Sequence, residues 1–213
     1  RDFTMHPVLL SIFGVKIHTY GLFMGAGFMV AMNIMLRRAE KTGVDETDVN
    51  RLILIGFAGG ILGARILYIL VDNPWAFIDA PLDAIAFWKG GLVYFGGFVL
   101  GTLGLIVYSW RHSLGVLKIT DLSVGTLAIA HALGRLGCFM AGCCYGKQCD
   151  LPWAVTFTDP AGVGLKNVPL HPTQIYSALF ALSLYGILLA VRNKQTRYGA
   201  LTGTYLLLYP IGR

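Results

Sequence analysis

The chain has 213 residues, 55% of them hydrophobic and only 13% charged, with 17 Lys and Arg against 11 Asp and Glu for a net charge of +6. A soluble domain carries about 25% charged residues, so this chain lacks the polar side chains to cover a water-facing surface, and its basic residues fall in short groups between apolar runs. A water-soluble domain, a nucleic-acid-binding arm and a disordered segment are excluded, and the composition predicts an all-α, polytopic membrane helical bundle.

A helix crossing roughly 30 Å of hydrocarbon needs about 20 mostly apolar residues. Such runs stand at 18–36, 52–70, 91–109, 122–140 and 174–191, and a sixth begins at Gly199 and is still apolar at Arg213. Both ends read as cut, with no leader before Arg1 and one more helix expected after Arg213. Residues 1–213 thus read as a single transmembrane domain with six spans here and seven in the complete protein. Nine basic residues (Arg37, Arg38, Lys41 and Arg51; Arg111 and Lys118; Arg192, Lys194 and Arg197) fall on one side. The other side holds five, Arg1, Lys16, Lys89, Lys147 and Lys166, diluted by Asp72, Asp79, Asp83, Asp150 and Asp159. By the positive-inside rule the N-terminus is outside, as are the loops at 71–90 and 141–173. Trp75, Trp88, Trp110 and Trp153 read as interfacial anchors. Glycines at 21, 25, 27, 59, 60, 63, 96, 97 and 101 read as close-packing positions. No internal repeat of the kind many transporters carry is visible.

Arginine at membrane depth is costly, and its default reading is functional. Arg65 lies in the second span, Arg135 near the outer end of the fourth, and Arg213 closes the sequence. Snorkelling to the outer headgroups is the alternative for the first two. Apart from Asp121 at a cytoplasmic edge, no acid is available in the spans, so these guanidinium groups call for an anion. At the outer leaflet that anion is a lipid phosphate, which Arg grips as a fork. His131 precedes Arg135 by one helical turn on the same face. The neighbouring cation biases its imidazole to the neutral form that a general base needs; a packed, hydrogen-bonded histidine is the alternative. His171-Pro172-Thr173-Gln174-Ile175-Tyr176 opens the fifth span, with Pro172 suited to a first turn. Cys143, Cys144 and Cys149 fall in the external loop, where a disulfide is the first reading, either of the vicinal pair bonding Cys149. The spacing fits no standard zinc pattern; a metal site with His171 and a catalytic thiol are the alternatives.

Several of these residues stand in an order that resembles the prolipoprotein diacylglyceryl transferases. They are His6-Pro7, Ile17-His18-Thr19-Tyr20-Gly21, Gly63-Ala64-Arg65 and Gly90-Gly91-Leu92-Val93-Tyr94-Phe95-Gly96-Gly97. Gly134-Arg135-Leu136-Gly137 with Gly142 and Gly146, and His171 through Tyr176, complete the set. The resemblance implies seven spans in a bacterial plasma (inner) membrane, with the active site toward the periplasmic face. It implies transfer of the diacylglyceryl group of phosphatidylglycerol to the lipobox cysteine of a secreted preprotein, with glycerol 1-phosphate leaving. It carries over Tyr20, Arg65, Arg135, Gly146, His171, Gln174, Tyr176, Tyr209 and Arg213. Arg135, His171, His131 and Tyr20 are the expected catalytic set; Arg65, Arg213, Gly146, Gln174, Tyr176 and Tyr209 are expected to bind substrate. The expected partners are phosphatidylglycerol, lipobox-containing preproteins and membrane lipids, with no nucleic acid, cofactor or metal. The chain departs from the pattern at Phe95, where members carry His, at Cys138 and Cys143, where they carry Asn and Glu, and at Ser177, where an acid follows. Rival readings are a phospholipid-binding paralogue without chemistry, a transferase with another acceptor, a transporter or channel, and a thiol-redox protein.

Overall fold

The computed structural model describes residues 2–3, 8–12, 15–72, 91–157, 165, 167–194 and 197–212. Arg213, Trp75 and Trp88 lie outside them. Each expected span coincides with a helix: α1 Thr19–Thr42, α2 Glu46–Asp72, α3 Tyr94–Arg111, α4 Val116–Ala141, α5 Thr173–Lys194 and α6 Ala200–Leu208. Four of them, at Thr19–Thr42, Glu46–Val71, Val116–Ala141 and Thr173–Lys194, are long and apolar enough to cross a membrane. Large apolar side chains stand outward along them (Phe57, Leu62, Ile66 and Leu70 on α2; Leu179, Leu182 and Ile187 on α5). Water would penalise such a surface; lipid does not. The protein is an all-α polytopic membrane protein.

The chain forms two compact units, Leu36–Thr120 and Arg1–Met35 with Asp121–Arg213. In the first, α2 and α3 pack along a seam of glycines. A Cβ on Gly63 would overlap the Gly96 carbonyl, one on Gly96 would overlap the Gly63 carbonyl, and one on Gly59 would sit 3.1 Å from the Gly101 Cα. Only backbone against backbone fits there, which is the close approach small residues permit between membrane helices. Asp45 caps α2, its carboxylate accepting the Thr47 N–H at 3.0 Å. The Thr47 side chain, and then this backbone bond, hold its pKa below the usual carboxylate value. In the first turns of α2, Asp48 accepts from the hydroxyl of Tyr108 on α3 at 2.8 Å, and that hydroxyl accepts from Arg51 at 3.4 Å.

In the second unit Val124 and Ala128 of α4, Leu184 and Leu188 of α5 and Leu201 of α6 form one core, with Phe180, Tyr185, Tyr205 and Tyr209 packed against it. Asp121 is 4% exposed and accepts from Gly199 N at 2.7 Å, Thr202 N at 2.8 Å and Thr202 Oγ1 at 2.7 Å. Gly199 precedes α6 and has no side chain to cap it, so the cap comes from α4. α6 ends before Pro210, whose missing N–H tightens the chain into the turn Tyr209–Gly212. Short strands, which the apolar periodicity does not reveal, join β1 (Asp2–Phe3), β4 (Val155–Phe157) and β5 (Pro169–Leu170) in one sheet. β2 (Val8–Ile12) and β3 (Val15–His18) pair antiparallel. Phe157 and Leu170 are buried beneath Phe139, Tyr145 and Val168, forming a small second core under the loop after α4.

Candidate active site

The last turns of α4 carry Arg135 and Cys138, with His131 one turn earlier. Glycines let α1 cross close by: a Cβ on Gly134 would touch Met24 Sδ at 3.3 Å, and one on Gly137 would meet Phe23 Cβ at 3.0 Å and Tyr20 Cδ2 at 3.3 Å. Gly134-Arg135-Leu136-Gly137 therefore works by removing bulk on either side of the arginine. Tyr20 comes within electrostatic reach of Arg135, Cys138, Cys143 and Cys144.

Arg135 Nε donates to His131 Nε2 at 3.1 Å. A guanidinium can only donate, so Nε2 offers its lone pair and the imidazole is neutral with its proton on Nδ1. In that geometry the lone pair that a base would use is turned to Arg135. The bond fixes the guanidinium plane through Nε and leaves the two terminal amino groups as the fork. His131 also meets the Tyr209 ring, centroids 5.7 Å apart, and Tyr209 stacks on Tyr205 at 5.2 Å. A Cβ on Gly212 would overlap the Phe180 ring, so the turn carrying Tyr209 is pressed onto α5.

Beyond α4 the backbone turns through Gly142 and Cys144, both left-handed, with φ of 65° and 61°. It then runs beside the segment leading into α5: Gly146 N bonds the His171 carbonyl at 2.9 Å and His171 N the Lys147 carbonyl at 3.0 Å. A Cβ on Gly146 would lie 2.7 Å from Thr173 Cγ2 and 2.8 Å from His171 Cβ. Gly146, expected to bind substrate, is thus accounted for by this approach. Gln174 is fully buried; its Nε2 donates to the Cys143 carbonyl at 2.7 Å, and its Oε1 has no partner among the described residues. Thr173 Oγ1 donates to the Cys144 carbonyl at 2.9 Å.

His171 and Tyr176 come together, Nδ1 lying 3.2 Å from the hydroxyl, and Trp153 Nε1 donates to that hydroxyl at 2.7 Å. Interfacial anchoring, the reading of Trp153 from sequence, misses this role; its position in the external loop is the available signal. The four cysteines are free. The sulfurs that converge are those of Cys138, Cys143 and Cys144, not the expected pairing with Cys149, because Gly142 and Cys144 fold the loop back over the end of α4. Its hydrogen bond with Cys138 and burial push the Cys143 pKa up, and burial raises that of Cys144.

Arg65 belongs to the other unit. It is 8% exposed, donates from Nη1 to the Gly91 carbonyl at 3.0 Å and lies over the Tyr68 ring, 5.2 Å from its centroid. It therefore straps α2 to the chain leading into α3. Phe95, in the place of the expected family histidine, is 65% exposed on α3.

The family model described as prolipoprotein diacylglyceryl transferase matches residues 7–213. The chain belongs to the prolipoprotein diacylglyceryl transferase family. It is 38% identical over 209 residues to the phosphatidylglycerol–prolipoprotein diacylglyceryl transferase of Clostridium tetani (strain Massachusetts / E88), covering 98% of this chain and 83% of that one. A protein named phosphatidylglycerol–prolipoprotein diacylglyceryl transferase 2, from Clostridium perfringens (strain 13 / Type A), is 36% identical over 98% of this chain and 81% of its own length. The Clostridioides difficile (strain 630) protein of the first name is 30% identical over 98% and 81%. In this member of the diacylglyceryl transferase family, Arg135, His131, Tyr20 and Tyr209 gather at one end of α4. His171, Tyr176 and Trp153 form a second polar group at the entry to α5.

Proposed function

We propose that this protein transfers the diacylglyceryl group of phosphatidylglycerol to the lipobox cysteine thiol of secreted prolipoproteins, in a bacterial plasma membrane and at its outer face. Similarity to proteins of that name over 98% of the chain carries the reading. The basic clusters at 37–51, 111–118 and 192–197 support the orientation, since the loops joining α1 to α2, α3 to α4 and α5 to α6 would be cytoplasmic. The end of α4 with Arg135 would then face outward.

The reaction forms a bond from the thiol sulfur to the glyceryl carbon and breaks that carbon's bond to the phosphate oxygen. The electron pair goes to the departing glycerol phosphate and the thiol proton to a base. The terminal amino groups of Arg135 hold the phosphate, and their attraction grows as charge develops on the leaving oxygen. His131 sets the guanidinium plane instead of taking the proton. His171 is the base: with Nδ1–H donated to the Tyr176 oxygen, Nε2 carries the lone pair. A cysteine thiol has a pKa near 8.5, so the attacking group needs that help at neutral pH. Tyr20 and Tyr209 flank Arg135 and His131 and orient the glyceryl portion. Confinement of both substrates to one leaflet supplies proximity.

The test is lipid modification of a reporter preprotein in a strain depleted of its own transferase. The parent chain restores modification, and Arg135→Ala inserts normally but does not. Near-normal modification by Arg135→Ala would remove Arg135 from the reaction. Absence of modification by the well-inserted parent would favour a phospholipid-binding paralogue, the reading that Phe95, Cys138 and Cys143 support.

A further inference from the structure

Cys138, Cys143 and Cys144 have no part in the proposed reaction, yet their sulfur atoms lie within 4.8 Å of one another. The loop is built to bring them there. Cys138 is on the last turn of α4, and Cys143 N bonds its carbonyl at 3.1 Å. The carbonyls of Cys143 and Cys144 are pinned by Gln174 and Thr173 at the start of α5. Cys144 is held at a φ of 61°, a left-handed conformation that a non-glycine residue adopts only where surrounding structure imposes it. The convergence is therefore imposed from several sides.

We propose that Cys138, Cys143 and Cys144 form a binding site for one soft, thiophilic cation of the copper(I) and zinc class. Thiolates select such ions, whereas magnesium and calcium need oxygen ligands, and the cluster contains no carboxylate. With metal–sulfur bonds of about 2.3 Å, tetrahedral ligands stand roughly 3.8 Å apart. Side-chain rotations that draw the sulfurs together by about 1 Å complete the site. Each ligating thiol gives its proton to solvent as its sulfur bonds the ion, and no electron is transferred. Arg135, one turn before Cys138 on the same face, offsets the negative charge of three thiolates. Three protein ligands leave an open position, as in zinc sites that accept a further ligand. The inference stands apart from the transferase reading, because its test reads metal and not lipid transfer.

The experiment uses the full chain in detergent, reduced and stripped of metal by a chelator, and titrated with Cd²⁺ while thiolate-to-metal charge-transfer absorption is followed. Zn²⁺ and anaerobic copper(I) serve as competitors. One Cd²⁺ per chain is expected, displaced by both. Cys138→Ser, Cys143→Ser and Cys144→Ser should each weaken binding by more than the roughly 10–100-fold caused by losing a group that only supports a ligand; Cys149→Ser should bind like the parent. In the unmutated chain Cd²⁺ should protect these three cysteines from maleimide and leave Cys149 labelled, a measurement that needs no variant to fold. Absence of the absorption band, equal protection of Cys149, or parent-like binding by Cys138→Ser would overturn the proposal.

Discussion

Replacing Asp121 with alanine should loosen α6 and with it the aromatic wall of the site. The carboxylate accepts two backbone N–H groups and one hydroxyl at 2.7–2.8 Å from the start of α6, and it is nearly inaccessible. A hydrogen bond to a charged acceptor contributes about 1.5–3 kcal/mol, and each buried donor left unmade costs about 1–3. These effects are not additive; with three donors left unmade at about 1–3 kcal/mol each, we take ~4 for Asp121→Ala. For a chain of this length 1 kcal/mol moves the Tm by about 2–4 °C, so the expected fall is roughly 8–16 °C. Asp121→Asn keeps one carbonyl oxygen for Thr202 but turns an amino group toward the Gly199 N–H, so its Tm should lie between. Thermal unfolding in detergent, followed by a thiol-reactive dye, reads both. Because α6 leads into Tyr209, whose ring meets His131, transfer activity should fall in the same order. An Asp121→Ala protein melting within about 2 °C of the parent would refute the capping argument.

Gly96→Ala should separate α2 from α3, because the new methyl overlaps the Gly63 carbonyl and comes within 2.5 Å of Leu67 Cβ. Backbone cannot yield as a side chain does, so the cost should reach ~3 kcal/mol, the upper end for overpacking. A Tm unchanged from the parent would show that the seam is not tight. Tyr176→Phe removes the hydroxyl shared by Trp153 and His171. Losing the bond to His171, at ~1 kcal/mol, should lower kcat about fivefold with little change in Tm, since the group is at the surface, and unaltered kcat would exclude His171 as a positioned base. Cys143, whose pKa is raised by Cys138 and by burial, holds its proton above the usual thiol range. Its alkylation should therefore still climb tenfold per pH unit beyond pH ~8.5 instead of levelling off. A plateau near pH ~9 would contradict that.

The helices were legible because lipid imposes a length and an apolar composition on each segment; every expected span falls on a helix, with ends displaced by a few residues. Arg135 stood out in the sequence because a charged group at membrane depth has few explanations, whereas the pairing of His171 with Tyr176 came only from the fold. What the sequence concealed depends on contacts distant along the chain. Asp121 looked like an isolated acid at a helix edge, yet its partners are 78 and 81 residues away. Arg65 and Arg135 look alike in sequence, but Arg65 closes on a carbonyl and a tyrosine ring of its own unit while Arg135 bonds an imidazole. The cysteines were misgrouped because reading by loop membership separates Cys138 from Cys143 and Cys144. The left-handed turns at Gly142 and Cys144 bring helix and loop back together. The short strands escaped because two to five residues are too few to set a period.

The substitutions at 138 and 143 change the electrostatics of Arg135 as well as removing functional groups. The family resemblance implies Asn and Glu at these positions, and a glutamate there would offer the arginine a carboxylate. Cysteine offers a short, neutral side chain whose pKa at position 143 is pushed upward, so near neutral pH the thiol adds no negative charge. Among the described residues no carboxylate forms a salt bridge with Arg135; the described ion pair is Arg51 with Asp48. Among the described residues the hydrogen-bond partner of Arg135 is the His131 lone pair. In the proposed reaction of the metal-free protein, a phosphate entering beside Arg135 would therefore have no paired carboxylate to displace, which favours binding of the lipid. The cost falls on proton transfer, where a carboxylate could have served and neither Cys143 nor the outward-facing Phe95 can. In the proposed reaction that leaves proton transfer to His171 and to the Tyr176–Trp153 pair that orients it, while Arg135 keeps the phosphate.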